Sequence, residues 1–352
     1  MEKKTQKISI CTVSMNRTHH IKETLEKNIL DNIGYGNFEF ILLDYSSSDN
    51  LKEYIEDNLS KHTNTGMLKY YRINNKKYFD RSHSRNVAIK LATGDIVCNV
   101  DADNFIGKGY LGYVNDIFNQ KENIFLVADT KKRKYFLRNA FGRFCVKKVD
   151  FDKARGMDEL MSSYGSETID LYNRLEDTGL REEVIKDTNF LKAISHDDNE
   201  RIENEYFLKE IKNLYIRYIS HKSSEYLLLY KNSKFETGYL ENEDIGSHLP
   251  AKLINDSFYK GSFSIENNQV IIETGENKRH FTFLDEDLHE TEEKIFQNIS
   301  DRNFLEEIAK NYSFITNSDR MDTNQKTKNI INENGFGLAD IEDISGVITT
   351  LK

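Results

Sequence analysis

Residues 70–106 read YYRINNKKYFDRSHSRNVAIKLATGDIVCNVDADNFI, and the order of patterns inside this stretch decides the fold. Arg81 to Leu91 predicts an amphipathic helix with Val87, Ala88 and Leu91 on its apolar side. Thr93-Gly94-Asp95 turns the chain, and Ile96 to Val100 is a short apolar run suited to a central parallel strand. That strand ends on Asp101-Ala102-Asp103. Ligands of open α/β sheets bind at the carboxyl ends of such strands, so position makes Asp101 and Asp103 candidate site residues. Two carboxylates this close repel each other unless a cation lies between them. Hard oxygen ligands suit Mg²⁺ or Mn²⁺ bridging to phosphate oxygens. An acidic chain also produces Asp-x-Asp by chance, as at Asp150/Asp152 and Asp285/Asp287. Context separates the first triplet from the others, and a solvated acidic turn is the plain alternative.

Four further segments bear on the same reading. ISICTVSMNRTHHIKETL predicts a strand from Ile8 to Val13, a polar turn carrying Asn16 and Arg17, and a helix with apolar positions at Ile21 and Leu25. A guanidinium at that strand end can pair bidentately with phosphate. FEFILLDYSSSDN is a strand ending in Asp44, a carboxylate able to accept hydrogen bonds from ring N–H groups. MSSYGSETIDLYNRL predicts a helix from Glu167 to Leu175, whose Leu171 and Leu175 form an i,i+4 stripe. Downstream, FLKAISHDDNERIEN places His196 after an apolar, strand-like run.

In this order, from Ile8 to about Asn204, the segments resemble GT-A-fold glycosyltransferases, specifically bacterial family 2 enzymes and the related β-1,4-galactosyltransferase group. The resemblance implies an α/β catalytic domain with a Rossmann-like, mostly parallel central sheet. It also implies roles. Arg17 follows the first strand and reaches the nucleotide, Asp44 recognises the uracil base, and Phe79 and Arg81 touch UDP. Asp103 is the direct metal ligand, with Asp101 nearer the ribose, and His196 completes the metal site. Imidazole, carboxylate and phosphate oxygens together favour Mn²⁺, with Mg²⁺ as the substitute. Tyr164 stands where the group's acceptor motif has Trp, which makes it the candidate acceptor contact. Thr168 occupies the place of the usual catalytic Asp, and threonine cannot take a hydroxyl proton at neutral pH. Adjacent Glu167, or Asp170 one turn along, is the implied substitute.

Composition agrees with a folded enzyme. The chain has 352 residues, 30% charged and 38% hydrophobic, enough length for a large core and two or three domains. A net charge of -9 argues against general affinity for nucleic acid. No run of about 18 apolar residues is present, and the start MEKKTQK lacks the apolar core of a signal peptide. Cys11, Cys98 and Cys145 lie in apolar surroundings without CxxC spacing and read as buried free thiols of a reducing cytoplasm. The basic run Lys131 to Lys134 reads as a solvated loop, or as a peripheral contact with an anionic membrane face or lipid-diphosphate acceptor.

Beyond the catalytic domain, residues 1–204, the resemblance stops. Residues 205–225 predict a helical connector, with Phe207, Ile211, Leu214 and Tyr218 on one face. Residues 226–285 alternate as in a small antiparallel β module. Residues 286–352 predict a helical segment, with helices from Glu290 to Tyr312 and Lys326 to Asn334 around the polar loop SDRMDTNQKTK. The expectation is a metal-dependent, inverting transfer of sugar from a UDP-sugar to a glycan or lipid-linked acceptor in surface polysaccharide synthesis. A non-catalytic nucleotide-sugar or glycan-binding protein stays open because of Thr168. A sugar-phosphate nucleotidyltransferase is disfavoured by the lack of a Gly-rich loop near the first strand.

Overall fold

The computed structural model describes residues 4–128, 140–161, 163–195, 198–242, 252–253, 259–274, 277–328 and 330–352. The chain divides into two compact units, residues 1–196 with 317–352, and residues 197–316.

The first unit opens with alternating strands and helices: β1 (Ile8–Ser14), α1 (Thr18–Asn32), β2 (Phe38–Tyr45), α2 (Leu51–Asn58), α3 (Ser60–Asn64), β3 (Leu68–Ile73), α4 (Arg81–Leu91) and β4 (Ile96–Asn99). Next come β5 (Asn104–Phe105), α5 (Tyr110–Gln120), β6 (Ile124–Val127), β7 (Phe144–Lys147), α6 (Lys148–Lys153), α7 (Glu167–Asp177), β8 (Arg181–Val184) and β9 (Lys192–Ala193). The sheet runs β3-β2-β1-β4-β7-β6-β8. The first four strands are mutually parallel and β7 is antiparallel to both neighbours.

Strand periodicity explains the layers. Ile8 and Ile10, Phe40 and Leu42, and Ile96 and Cys98 point to one face, where α1 supplies Ile21, Leu25 and Ile29 and α5 supplies Leu111 and Val114. Cys11 and Val13, Ile41 and Leu43, and Val97 point to the other face, against Val87, Ala88 and Ile89 of α4 and Leu171 and Leu175 of α7. Every strand residue from Ile8 to Ser14 and from Phe38 to Tyr45 is buried, as expected where helices cover both faces. The three cysteines are buried and free.

The second unit holds α8 (Asp198–Ile202), α9 (Tyr206–Glu210) and an antiparallel sheet of β10 (Ile211–Ser220), β11 (Ser223–Tyr230), β12 (Lys234–Glu241), β13 (Lys252–Leu253), β14 (Tyr259–Glu266), β15 (Gln269–Thr274), β16 (Asn277–Leu284), β17 (Asp287–Thr291) and β18 (Lys294–Ile299). Successive strands pair, β18 pairs back onto β10, and β11 pairs with β12. The ring is therefore closed, with β13 appended to β12. Closure removes the exposed edges, and Leu227, Leu229, Phe263, Ile272, Phe281 and Phe296 fill the interior. A long helix, α10 (Arg302–Thr327), follows; Ile308 and Tyr312 pack against Leu214, Tyr226, Leu228 and Leu240 on the outer face of the ring.

The chain then returns to the first unit. β19 (Ala339–Asp343) pairs antiparallel with β3, and β20 (Ile348–Leu351) pairs with β19, extending the parallel sheet at its far edge.

Several sequence expectations for residues 205–352 are corrected here. The helix expected over 205–220 is α9 followed by the ten-residue strand β10. The stripe of Phe207, Ile211, Leu214 and Tyr218 satisfies a helical period, but β11 supplies partners in register, Leu214 opposite Leu228 and Tyr215 opposite Leu227. A β-branched, aromatic segment with such partners goes into the sheet. The helix expected from Glu290 begins only at Arg302, because residues 294–299 form the closing strand of the ring. The polar loop SDRMDTNQKTK, up to Thr327, is the last part of α10, and among the described residues no helix continues from Lys328 to Asn334. Its polar face is buried by polar partners: Asn317 Nδ2 donates to Ser163 O (3.0 Å), Arg320 Nε to Asp158 Oδ2 (2.7 Å), and Asn324 Nδ2 to Asp158 Oδ2 (2.8 Å). The basic run Lys131 to Lys134 lies outside the described residues.

Candidate active site at the carboxyl ends of the parallel strands

With β1 flanked by β2 and β4, the strand order reverses at β1, and the crevice beyond its carboxyl end is where an open α/β sheet takes its ligand. Asn16, just past β1, adopts φ 57°, a left-handed conformation that Asn tolerates better than most residues. The turn lets Asn16 Oδ1 accept from Ser48 N (2.7 Å), while Thr18 N donates to Asp49 Oδ2 (2.9 Å). The loops after β1 and β2 are thus locked together, with half-buried Arg17 as the N-cap of α1 and its Nη1 donating to Asn16 O (3.1 Å).

Asp44 is fully buried at the end of β2. Its Oδ1 accepts from Ser47 N (2.7 Å), and its Oδ2 accepts from Tyr70 Oη (2.7 Å) and Arg72 Nη1 (3.0 Å). Arg72 Nη2 continues to Ser47 O (2.8 Å). In this arrangement the Asp44 carboxylate holds the β2 loop and the end of β3.

Phe79 stands edge-on to Tyr45, with ring centroids 5.8 Å apart. Asp80 caps α4 by accepting from His83 N (2.9 Å), which sets the helix start so that Arg81 leaves the first turn. The Arg81 guanidinium lies 5.7 Å from the Phe79 ring centroid and 5.0 Å from that of Tyr164. Two segments about 80 residues apart in sequence, the lead-in to α4 and the lead-in to α7, therefore share one cation.

The triplet itself is tightly tied. Asp101 Oδ1 accepts from Arg85 Nη2 (3.0 Å) and Asn99 Nδ2 (3.2 Å). Burial alone would raise the Asp101 pKa, but the charge of Arg85, its hydrogen bond and the charge of Arg81 hold it below the ordinary carboxylate range. Ala102 O accepts from Thr24 Oγ1 (2.7 Å). Asp103, 8% exposed, accepts from Asn104 Nδ2 (2.7 Å), and its carbonyl accepts from Ile194 N (2.8 Å), which brings the segment after β9 beside the triplet. His196, two residues further on, lies outside the described residues.

On α7, Glu167 and Thr168 face the same guanidinium. Arg85 Nη1 donates to Glu167 Oε1 (3.2 Å) and to Thr168 Oγ1 (3.4 Å), and Gly165 N donates to Glu167 Oε2 (3.0 Å). Asp170 is directed elsewhere: it is buried, paired with Arg174 Nε (2.8 Å), and accepts from Asn324 Nδ2 (3.0 Å). Arg81, Arg85, Asp101, Glu167 and Tyr164 thus form one connected group, while Asp44 and Asp170 are held in separate networks.

Two residues here escape a reading of the sequence. Arg85 sits one turn after Arg81 in α4, and that i,i+4 spacing was the available signal. Arg143 is fully buried, donating from Nη2 to Asn104 Oδ1 (2.6 Å) and from Nη1 to Phe105 O (3.2 Å), so it braces the strand that follows the triplet. Nothing in its local sequence marks it.

Residues 9–152 match the family model described as glycosyl transferase family 2. The match spans less than half of the chain, and this part of it is similar to family 2 glycosyltransferase domains. It contains the triplet, Arg81 and Arg85, whereas Glu167 and Tyr164 lie beyond the matched segment. No curated protein sequence matches the chain. Among solved structures, the chain is similar to S. aureus TarS residues 1–349 in complex with UDP-GlcNAc, at 20% identity and TM-score 0.44, over 57% of this chain and 61% of that one. It is also similar to the mannosyltransferase PcManGT from Pyrobaculum calidifontis in complex with GDP-Man and Mn²⁺, at 17% identity and TM-score 0.45, over 55% of this chain and 58% of that one. A third is a Drosophila β-1,4-galactosyltransferase 7 with manganese, UDP-Gal and xylobiose, at 16% identity and TM-score 0.38, over 55% of this chain and 73% of that one. The chain spans less than two thirds of the first two structures. Among the described residues, no helix is long and apolar enough to cross a membrane.

Proposed function

We propose that the protein transfers a sugar from a UDP-sugar to a saccharide or lipid-linked acceptor of a surface polysaccharide, with inversion at the anomeric carbon and with a divalent cation. The observation that carries this reading is the shared guanidinium: Arg85 joins Asp101 of the triplet to Glu167 at the start of α7. A donor-side carboxylate and an acceptor-side carboxylate are thereby fixed to one rigid group.

The residues fit a metal of the hard-oxygen class. Asp103 and Asp101 offer carboxylate oxygens at a strand end, and a nucleotide diphosphate brings the further oxygens that Mn²⁺ or Mg²⁺ takes. Asp103 is the residue that would hold it, with His196 as the second ligand. When bound, the cation neutralises charge on the departing diphosphate. Arg17 and Arg81 stabilise the same charge from the protein side and orient the nucleotide, with Phe79 as a further nucleotide contact and Asp44 on the base side. Glu167 accepts the proton of the acceptor hydroxyl as its oxygen forms the bond to the anomeric carbon and the bond from that carbon to the diphosphate breaks. Tyr164 lines the acceptor side.

Titration of UDP by calorimetry with Mn²⁺ and with EDTA, followed by hydrolysis of a UDP-sugar panel, tests the reading. Binding that requires Mn²⁺ and is lost in Asp103→Asn is expected; equal binding by the variant overturns the metal assignment. A second reading, donor binding without transfer, is favoured by Thr168 and by the ion pair that engages Glu167. Thr168→Asp raises transfer if that reading holds.

A further inference from the structure

The second unit has a cavity of about 380 Å³ on the outer face of the β ring, beneath α9 and the first half of α10. Its volume falls within the roughly 300–1,000 Å³ of small-molecule sites. The walls are aromatic: Tyr206, Phe207 and Tyr230 meet there, the Tyr206 and Tyr230 rings near-parallel at 29°, and Tyr312 closes the far side with its ring 4.9 Å from that of Phe207. The floor is polar. Glu236, 3% exposed, accepts from Tyr230 Oη (3.2 Å), and Lys260 Nζ donates to Tyr312 Oη.

We infer that this cavity is a saccharide-binding site, sized for one or two pyranose units and separate from the transferase site. Flat tyrosine faces match the C–H face of a pyranose, while a carboxylate, an ammonium and phenol hydroxyls at one end match its hydroxyl groups. An aromatic box with a carboxylate also suits a quaternary ammonium, but here the box holds its own cation. Lys260 Nζ lies 4.9 Å from the Tyr312 ring centroid, so a cationic ligand would meet like charge. A purely apolar ligand would add no polar partner for the buried Glu236 carboxyl. Burial pushes the Glu236 carboxyl up to about 7, with the Lys260 charge and the Tyr312 hydroxyl opposing it. Near neutral pH it can therefore both donate to and accept from a sugar hydroxyl. The geometry of β14 supports the floor: a Cβ on Gly261 would lie 2.7 Å from Glu273 O and 2.7 Å from Phe235 Cε1, so the strand carrying Lys260 packs closer than any larger residue permits.

The inference goes beyond sugar transfer and stands even if the first unit proves inert. Saturation-transfer NMR on the full chain, using methyl glycosides of glucose, galactose, mannose and N-acetylglucosamine plus chitobiose, tests it, with UDP and Mn²⁺ added as a competitor. The expected result is binding of at least one saccharide that UDP does not displace and that Tyr206→Ala and Glu236→Gln each weaken by about tenfold. Tyr206 is only half-buried, and Gln preserves the shape of Glu, so both variants are expected to fold. Absence of binding by every saccharide overturns the assignment. So does displacement by UDP, indifference to both substitutions, or preferential binding of choline tested alongside.

Discussion

Arg85 Nη2 stands 3.0 Å from Asp101 Oδ1, and the same guanidinium reaches Glu167 Oε1 at 3.2 Å through its other nitrogen. Arg85 is 4% exposed, so neither contact is a loose surface pair. The planar fork fixes the distance between two carboxylates, one from the turn after β4 and one from α7. Lys cannot reproduce it, because an ammonium has no rigid pair of donors. Arg85→Lys is therefore expected to preserve the fold while lowering kcat/KM for sugar transfer by about 100-fold or more, the scale of a small misplacement at a reacting centre. Transfer kinetics and the denaturation midpoint, measured on one preparation, check this. An unchanged kcat/KM would remove Arg85 from the site.

Gly142 offers a second probe of Asp101. A Cβ at this position would lie 2.7 Å from Asp101 Oδ2 and 3.0 Å from Arg85 Nη2. In Gly142→Ala the carboxylate must move, and overpacking of this kind costs about 1–3 kcal/mol. The expected readout is UDP affinity in Mn²⁺ reduced by about tenfold, on calorimetry, as that strain is partly relieved by displacing Asp101. Wild-type affinity in this variant would show that Asp101 does not border the nucleotide.

The last half of α10 is held by a buried acid. Asp158 is fully buried and paired with Arg320 at 2.7 Å, with Asn324 donating to the same carboxylate. Arg320→Ala leaves that charge without its cation, a change that costs about 3–5 kcal/mol when a buried pair is broken. Urea denaturation is the measurement. Because Asn324 and Arg320 donate to the same Asp158 oxygen, Arg320→Ala with Asn324→Ala should show non-additive losses.

Asp80 should leave a mark on the pH dependence of stability. Burial pushes its carboxyl from an ordinary 3.8 up to about 7, with the hydrogen bond from His83 N opposing and the charge of Glu159 adding. Between those values the folded protein keeps a proton that the unfolded chain has released. The group's contribution to stability is therefore present below about pH 4 and lost as pH rises through about 7. Asp80→Asn retains the cap, since Asn accepts the same hydrogen bond, and removes the charge. The variant and the wild type are expected to have similar denaturation midpoints near pH 4, with the variant increasingly the more stable toward pH 8. Parallel curves would contradict the assignment.

Much of the first unit was legible because its information is local. Alternation in ISICTVS and FEFILLD, the Thr-Gly-Asp turn and the helical spacing of Val87 and Ala88 each depend on neighbours within a few residues, and the observed α4 has the bounds expected of it, Arg81–Leu91. The covering of the sheet by helices on both faces followed from periodicity, since continuous apolar runs must be buried on both sides, whereas the strand order came from the structure. Proximity of Asp101 to the sheet's carboxyl edge was legible for the same reason.

What only the tertiary structure decided concerns groups whose partners are distant in sequence. IKNLYIRYIS satisfies a helical and a strand period at once, and the register with β11 chose the strand. SDRMDTNQKTK is too polar to predict a packed helix, yet Asp158 and Ser166, more than 150 residues earlier, hydrogen-bond its polar face. Residues 339–351 joined the sheet edge at β3 because an unpaired edge accepts a strand from any part of the chain. Arg85 could be read as one more basic helix residue until the fold placed Asp101 and Glu167 on either side of it. The sequence by itself determined the layers and the strand that ends on Asp101; packing alone determined which charges meet there, because ion pairs are set by distance in space and carry no periodicity along the chain.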